Sequence, residues 1–206
     1  MKICADKRVC LIIPPSPFLL DERVFMSIGI LKIAAVLEKS NTEVEVLDLS
    51  GVLNFEDVIR DHACFSKASI WGFTATTPQL PSVIKMVNLV KQIRPDVKTI
   101  IGGAHVTLVS AAYKREVYRG INNGRAIRAM EKLKNSFDVL IAGDGEEAIF
   151  IVLNCQPNVS KIIDADDAKS PFFLDNSRFN TLPFPARHLV DIQSYHYSIE
   201  GFPALS

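Results

Sequence analysis

Short runs of apolar and β-branched residues alternate along the chain with longer stretches in which apolar positions recur every three or four residues. Val9–Ile13 is apolar throughout, the pattern of a strand covered on both faces. Glu43–Leu49 alternates polar with apolar, and Ser69–Thr74, Val97–Ile101 and Phe137–Ala142 complete five predicted strands. Between them the period becomes helical. Ser27–Lys39 places Ile30, Ile33, Ala34 and Leu37 on one face, and Phe55–Cys64 is a weaker helix. Pro81 opens a third helix, where its missing N–H is harmless, and Pro95 closes it; Val83, Met86, Val87 and Val90 share a face. Val106–Lys134 is helical material broken near Asn122-Asn123-Gly124, and Gly145–Leu153 is the last predicted helix.

Such alternation predicts an α/β fold: a doubly wound, five-stranded parallel sheet with helices on both faces, flavodoxin- or Rossmann-like. From about Gln156 the periodicity fades, and 171–206 is rich in Pro, Asn, Ser and aromatic residues. The expected division is an α/β domain over 1–155 and an irregular extension over 156–206. Ligands of doubly wound sheets sit outside the carboxyl ends of the strands. The informative loops are therefore Pro14–Met26, Ala75–Leu80, Gly102–Thr107 and Gly143–Glu146.

Composition narrows the function classes. Of 206 residues, 48% are hydrophobic and 22% charged, and Lys+Arg balance Asp+Glu at 23 each. No net field favours a polyanion, so no nucleic-acid partner is expected. The N-terminus lacks the apolar core of a signal peptide, and the run Val9–Ile13 stops at Pro14-Pro15, far short of the ~20 residues of a membrane span. The expectation is a cytoplasmic protein without a membrane partner. The four cysteines, at 4, 10, 64 and 155, form no CxxC or CxxxCxxC, so no local zinc or iron–sulfur motif is present.

The first loop, PPSPFLLDERVFMSIG, excludes common α/β ligands. It has neither GxGxxG nor GxxxxGK[ST], and the first strand ends without carboxylates. Pro14, Pro15 and Pro17 make it stiff and poor in N–H donors, suited to covering a large flat ligand rather than gripping a phosphate. Thr74, Thr76 and Thr77 follow the third strand; they can hydrogen-bond a ligand, or cap the helix opened by Pro81. Gly102-Gly103 follows the fourth strand and leaves bare backbone for a ligand, or makes a tight turn at positive φ. His105 lacks a metal-ligating neighbour and reads as a hydrogen-bonding group. Asp144 and Glu147 have the spacing of a capping box, while Gly143, Gly145 and Glu146 would line the mouth beside the glycine pair.

In order, these loops resemble the N-terminal cobalamin-binding domain of cobalamin-dependent radical-SAM enzymes. The matching elements are Pro14-Pro15, Gly72-Phe73-Thr74-Ala75-Thr76-Thr77, the GGxHxT run Gly102–Thr107, the G-[ED]-G-E run Gly143–Glu146, and the LPxPAR run Leu182–Arg187. The resemblance implies a cobalamin-binding module of a methyltransferase- or cyclase-type enzyme. It places Thr74 and Thr76 at the Ser-x-Leu element of the wider group and Gly102-Gly103 at its paired glycines. The implied cofactor-binding residues are Pro15, Ser16, Thr74, Thr76, Thr77, Gly102, Gly103, His105, Gly143, Asp144, Gly145 and Glu146. None is expected to be catalytic, and none a metal ligand. The wider group presents DxHxxG after the first strand, with its histidine on cobalt; here that loop has no histidine, which implies base-off cobalamin without a protein imidazole. A radical-SAM barrel, in cis or in trans, would bring S-adenosylmethionine and a [4Fe–4S] cluster. Without CxxxCxxC the chain is expected not to cleave S-adenosylmethionine alone, as a fragment or half of a split enzyme. The alternative is a stand-alone sensory or protein-interaction module of the same fold. A small self-sufficient enzyme is disfavoured, since no nucleophile–base pair or carboxylate dyad appears in the loops.

Overall fold

A computed structural model describes residues 7–154 and 161–196, with the backbone of Ser198–Ile199 and Phe202–Pro203. Cys4, Cys155 and most of the N-terminal stretch inspected for a leader lie outside the described residues. The elements follow as β1 (Arg8–Ile13), α1 (Ile28–Lys39), β2 (Glu43–Asp48), α2 (Phe55–Phe65), β3 (Ile70–Thr74), α3 (Leu80–Ile93), β4 (Lys98–Gly102), α4 (Ala104–Tyr118), α5 (Arg125–Ser136), β5 (Val139–Gly143), α6 (Gly145–Leu153) and β6 (Ile162–Ala165). The strands pair in parallel in the order β2-β1-β3-β4-β5-β6. This is the expected doubly wound α/β sheet, with six strands instead of five. The additional strand lies in the segment read as an extension. Its four residues pair on one side only, from Leu140↔Ile162 to Gly143↔Ala165, too short a run for a periodic signal.

Strand alternation sorts the core into two layers. Cys10, Ile12, Trp71, Phe73, Ile101 and Leu140 face α2, α3 and α5, where Ile59, Met86, Val90 and Met130 are buried. Val9, Leu11, Ile13, Ile100 and Ile141 face α1 and α6, meeting Ile30, Leu37, Ile149 and Val152. The helical break falls at 119–124, where Gly120 takes φ +69. The Glu116 carboxylate caps the next helix from outside, accepting from the N–H groups of Ala126 (3.2 Å) and Ile127 (2.9 Å).

After β6 the chain carries α7 (Asn176–Phe179), two single 3₁₀ turns and the β7–β8 pair (Ser198–Ile199, Phe202–Pro203). It runs as a strap along the outer side of α1. His188 Nε2 is hydrogen-bonded to Glu38 (2.8 Å), the Ala186 N–H donates to the Leu31 carbonyl (3.0 Å), and the Lys32 ammonium lies over the Phe179 ring. Near the carboxyl edge, Arg23 joins Asp48 and the Ser194 hydroxyl (both 2.8 Å), while the Tyr195 hydroxyl donates to Asp48 (2.6 Å). Among the described residues, no helix is long and apolar enough to cross a membrane.

Candidate cofactor slot at the carboxyl edge of the sheet

Between α1 and α6, above the carboxyl halves of β1, β3, β4 and β5, lies a mostly apolar slot of about 170 Å³. Its floor follows from register. Leu11, Gly72 and Ile100 stand side by side on one row, and Thr74 and Gly102 on the row beyond. Both rows face α1 and α6, so the two glycines remove side chains from the middle of the floor. Gly29, Ile30 and Ile33 of α1 form one wall, and Gly145, Glu146 and Ile149 of α6 the other. An apolar cavity of roughly 150 Å³ accommodates a benzene-sized ring. This one therefore suits a flat aromatic group and is too small for a macrocycle.

Of the residues implied by resemblance, Thr74, Gly102, Gly103, Gly143, Asp144, Gly145 and Glu146 line this slot. The glycines differ in what they do. Gly103 has φ +90, and a Cβ there would meet Thr74 Oγ1 at 2.6 Å, which is the tight-turn condition. Gly102 has no positive φ, and its hypothetical Cβ would lie 3.5 Å from the Ile141 carbonyl, an ordinary contact. Bare floor is thus the property of Gly72 and Gly102. The Thr74 hydroxyl, half-buried at the mouth, makes no protein hydrogen bond among the described residues.

Pro15, Ser16, Thr76, Thr77 and His105 do not line the slot; all but Pro15 join two hydrogen-bonded groups, Ser16 with Thr76 through Gln79 and Thr77 with His105. Thr76 donates from both its N–H and its hydroxyl to Gln79 Oε1 (2.9 Å each). Gln79 Nε2 donates onward to the Ser16 hydroxyl (2.6 Å) and the Pro14 carbonyl (3.4 Å). Thr77 is hydrogen-bonded to His105 Nδ1 (3.0 Å), and burial holds that imidazole below its usual pKa, hence neutral at neutral pH. The threonines therefore do not cap α3, whose N-cap position is Gln79. Gln79, which ties the first loop to the third, was absent from the residues singled out in sequence; its one signal is a polar side chain just ahead of a proline-opened helix.

The capping box at α6 is not formed either. Asp144 holds the N-cap position without a side-chain bond, and Glu147 pairs with Arg178 of the strap (3.0 Å). Glu146 is buried, and desolvation pushes its carboxyl above the ordinary range. The Asp144 charge adds to this, against Lys32 and the nearby backbone N–H groups. Its native form thus binds a proton more readily than its unfolded form. Stability should fall as pH rises from the ordinary value of 4.5 through the raised native one. Glu146→Gln should remove that fall and melt higher than wild type at neutral pH. Thermal melts across the acid range test this; equal pH slopes in both proteins would contradict it.

Comparison with known proteins agrees with the fold and indicates a family. The family model described as B12 binding domain matches residues 22–131, more than half of the chain. That span contains Thr74, Gly102 and Gly103, whereas Pro15, Ser16 and the Gly143–Glu146 loop lie outside it. A search of the curated proteins finds no match. Among solved structures, the radical S-adenosylmethionine methyltransferase TsrM from Kitasatospora setae, with tryptophan substrate and a SAM analog bound, is similar in fold. The TM-score is 0.51 at 13% identity, over 72% of this chain and 25% of that one. The present chain thus corresponds to about a quarter of that protein's length. A doubly wound sheet, a glycine-floored slot at its carboxyl edge and a family match that takes in α1, β3 and β4 of that slot lead to one assignment: the chain belongs to the B12-binding domain family.

Proposed function

We propose that this domain carries cobalamin with its benzimidazole displaced from cobalt and seated in the slot between α1 and α6. The observation behind this is the floor: Gly72 and Gly102 open an apolar recess of aromatic-ring size where a doubly wound sheet binds its ligands. Thr74, Gly102, Gly103, Gly143, Asp144, Gly145 and Glu146 would hold the nucleotide tail. Pro15, Ser16, Thr76, Thr77 and His105 would stiffen the rim on which the corrin lies. Phe18, Leu19, Leu20 and Phe25 on the first loop are all at least half exposed, an apolar surface that a corrin and its enzyme partner would cover.

Cobalamin, when bound, supplies the cobalt chemistry of methyl transfer or a related radical reaction; the domain's own part is placement and exclusion of water. The partner is a radical-SAM barrel, in cis or in trans, of a methyltransferase- or cyclase-type enzyme. Because the cysteines here form no CxxxCxxC, the iron–sulfur cluster and S-adenosylmethionine belong to that barrel. Residues 1–155 supply five of the six strands of the carrier domain, β6 completes its sheet, and the strap would lead on towards the barrel.

Titration with hydroxocobalamin, followed by electron paramagnetic resonance of the cob(II)alamin form, tests this. The expected spectrum is base-off with no superhyperfine splitting from a protein nitrogen, unchanged in His105→Ala. A histidine-nitrogen splitting would overturn the coordination. No spectral change at any cobalamin concentration would favour a sensory or interaction module.

A further inference from the structure

On the sheet face opposite the slot, three donor atoms from three elements converge. Cys10 of β1 and Glu45 of β2 are direct cross-strand partners, so their side chains project to the same face, beneath α2. His62 of α2 comes down between them. Its Nε2 lies 3.5 Å from Cys10 Sγ and 3.3 Å from Glu45 Oε1, and the three donor atoms fall within 4.8 Å of one another. A tetrahedral zinc centre with Zn–S of about 2.3 Å and Zn–N and Zn–O of about 2.0 Å has S···N and N···O edges of about 3.5 and 3.3 Å. We propose that Cys10, Glu45 and His62 form a three-ligand site for a thiophilic divalent cation, zinc, with solvent in the fourth position.

The same ring nitrogen meets both partners, and this separates the cluster from a nucleophile–base relay. In a relay, the nucleophile and the orienting carboxylate occupy opposite nitrogens of the imidazole. Here thiol and carboxylate share Nε2, as ligands around one ion do. One thiolate and one carboxylate also neutralise a dication, which suits a half-buried position. Cys10 is fully buried, while the His62 and Glu45 side chains are 27% and 41% exposed, so an ion can enter from the solvent side. Outer contacts hold two ligands in place: the Ser66 hydroxyl donates to Glu45, and the Trp71 ring stands edge-on to His62 at 5.7 Å.

Burial, with Glu45 nearby, pushes the Cys10 thiol well above its ordinary pKa. Zinc binding therefore exchanges a proton for the metal, Cys–SH + Zn²⁺ giving Cys–S–Zn⁺ + H⁺, and weakens as pH falls. The ligands sit at positions 10, 45 and 62, and no local motif connects them; strand register and the docking of α2 bring them together.

The test uses the full chain, cobalamin-free, with Cys4, Cys64 and Cys155 replaced by serine so that Cys10 is the remaining thiol. Zinc chloride is titrated against a chromophoric chelator, and cobalt(II) chloride is followed by absorbance. Expected are one zinc per chain and a thiolate-to-cobalt charge-transfer band that Cys10→Ser abolishes. His62→Gln and Glu45→Gln, on partly exposed side chains, should weaken zinc by more than roughly tenfold, since loss of even an outer-shell partner costs that much. Far-ultraviolet circular dichroism checks that each variant is folded. Absence of the band in the parent protein, or undiminished zinc affinity in folded His62→Gln, would reduce the triad to a hydrogen-bonded cluster and overturn the site.

Discussion

Gly102→Val should lower cobalamin affinity about a hundredfold while the ligand-free domain melts near the wild-type temperature. Gly102 has no positive φ, and the position of its missing Cβ is free of close contacts, so the backbone accepts a side chain. The added methyl groups would occupy the slot floor beside Thr74. Overpacking of a fitted cavity commonly costs about 1–3 kcal/mol, and each 1.4 kcal/mol is about tenfold in affinity. Gly102→Ala should therefore lose about tenfold and Gly102→Val about a hundredfold. Gly103→Ala gives the contrasting result. Its φ of +90 and the 2.6 Å approach to Thr74 Oγ1 turn a side chain into folding strain, of about 1–3 kcal/mol. Parallel cobalamin titrations and thermal melts separate the two glycines. Undiminished affinity in a folded Gly102→Val protein would remove the tail from this slot.

Gly143→Ala should destabilise the domain by about 3 kcal/mol or more, combining left-handed strain with overpacking against backbone. Gly143 has φ +82, and a Cβ there would come 2.4 Å from the Asp166 nitrogen and 2.5 Å from the Ala165 carbonyl carbon. Flexible side-chain ends can yield to such an approach; the end of β6 cannot without unpairing. Urea unfolding measures the loss, and hydrogen exchange at Ile162–Ala165 should show β6 releasing first. Wild-type stability in Gly143→Ala would mean that β6 contributes little to the sheet.

The sheet was readable in sequence wherever a strand is buried on both faces. Val9–Ile13 is an unbroken apolar run because helices cover both sides, Val97–Ile101 departs from that pattern only at Lys98 and Thr99, and Pro81 and Pro95 punctuate α3 with backbone chemistry. The site was readable only in part. The loops after β4 and β5 point to the slot by position, yet the slot floor depends on Gly72 and Gly102 standing on adjacent rows, which only strand register supplies. The failed capping box has a similar cause: Glu147 answers to Arg178, thirty-one residues away, rather than to its own helix start. Gln79 escaped notice because its partners, Thr76 and Ser16, lie in different loops.

The strap along α1 has a kinetic consequence. α1 is one wall of the slot, and it is held between the sheet and the strap by the Ala186–Leu31 bond, the His188–Glu38 contact and the packing of Leu182 and Leu189. Any widening that separates α1 from α6 must strain those contacts as well, so ligand exchange shares its barrier with local undocking of the C-terminal segment. The residence time of a cofactor seated in this slot, as proposed, would then be set partly by residues that never touch it. Truncating the Arg178 side chain, which holds the strap to Glu147, or that of His188, which holds it to Glu38, would speed both loading and loss, with a smaller change in the equilibrium between them.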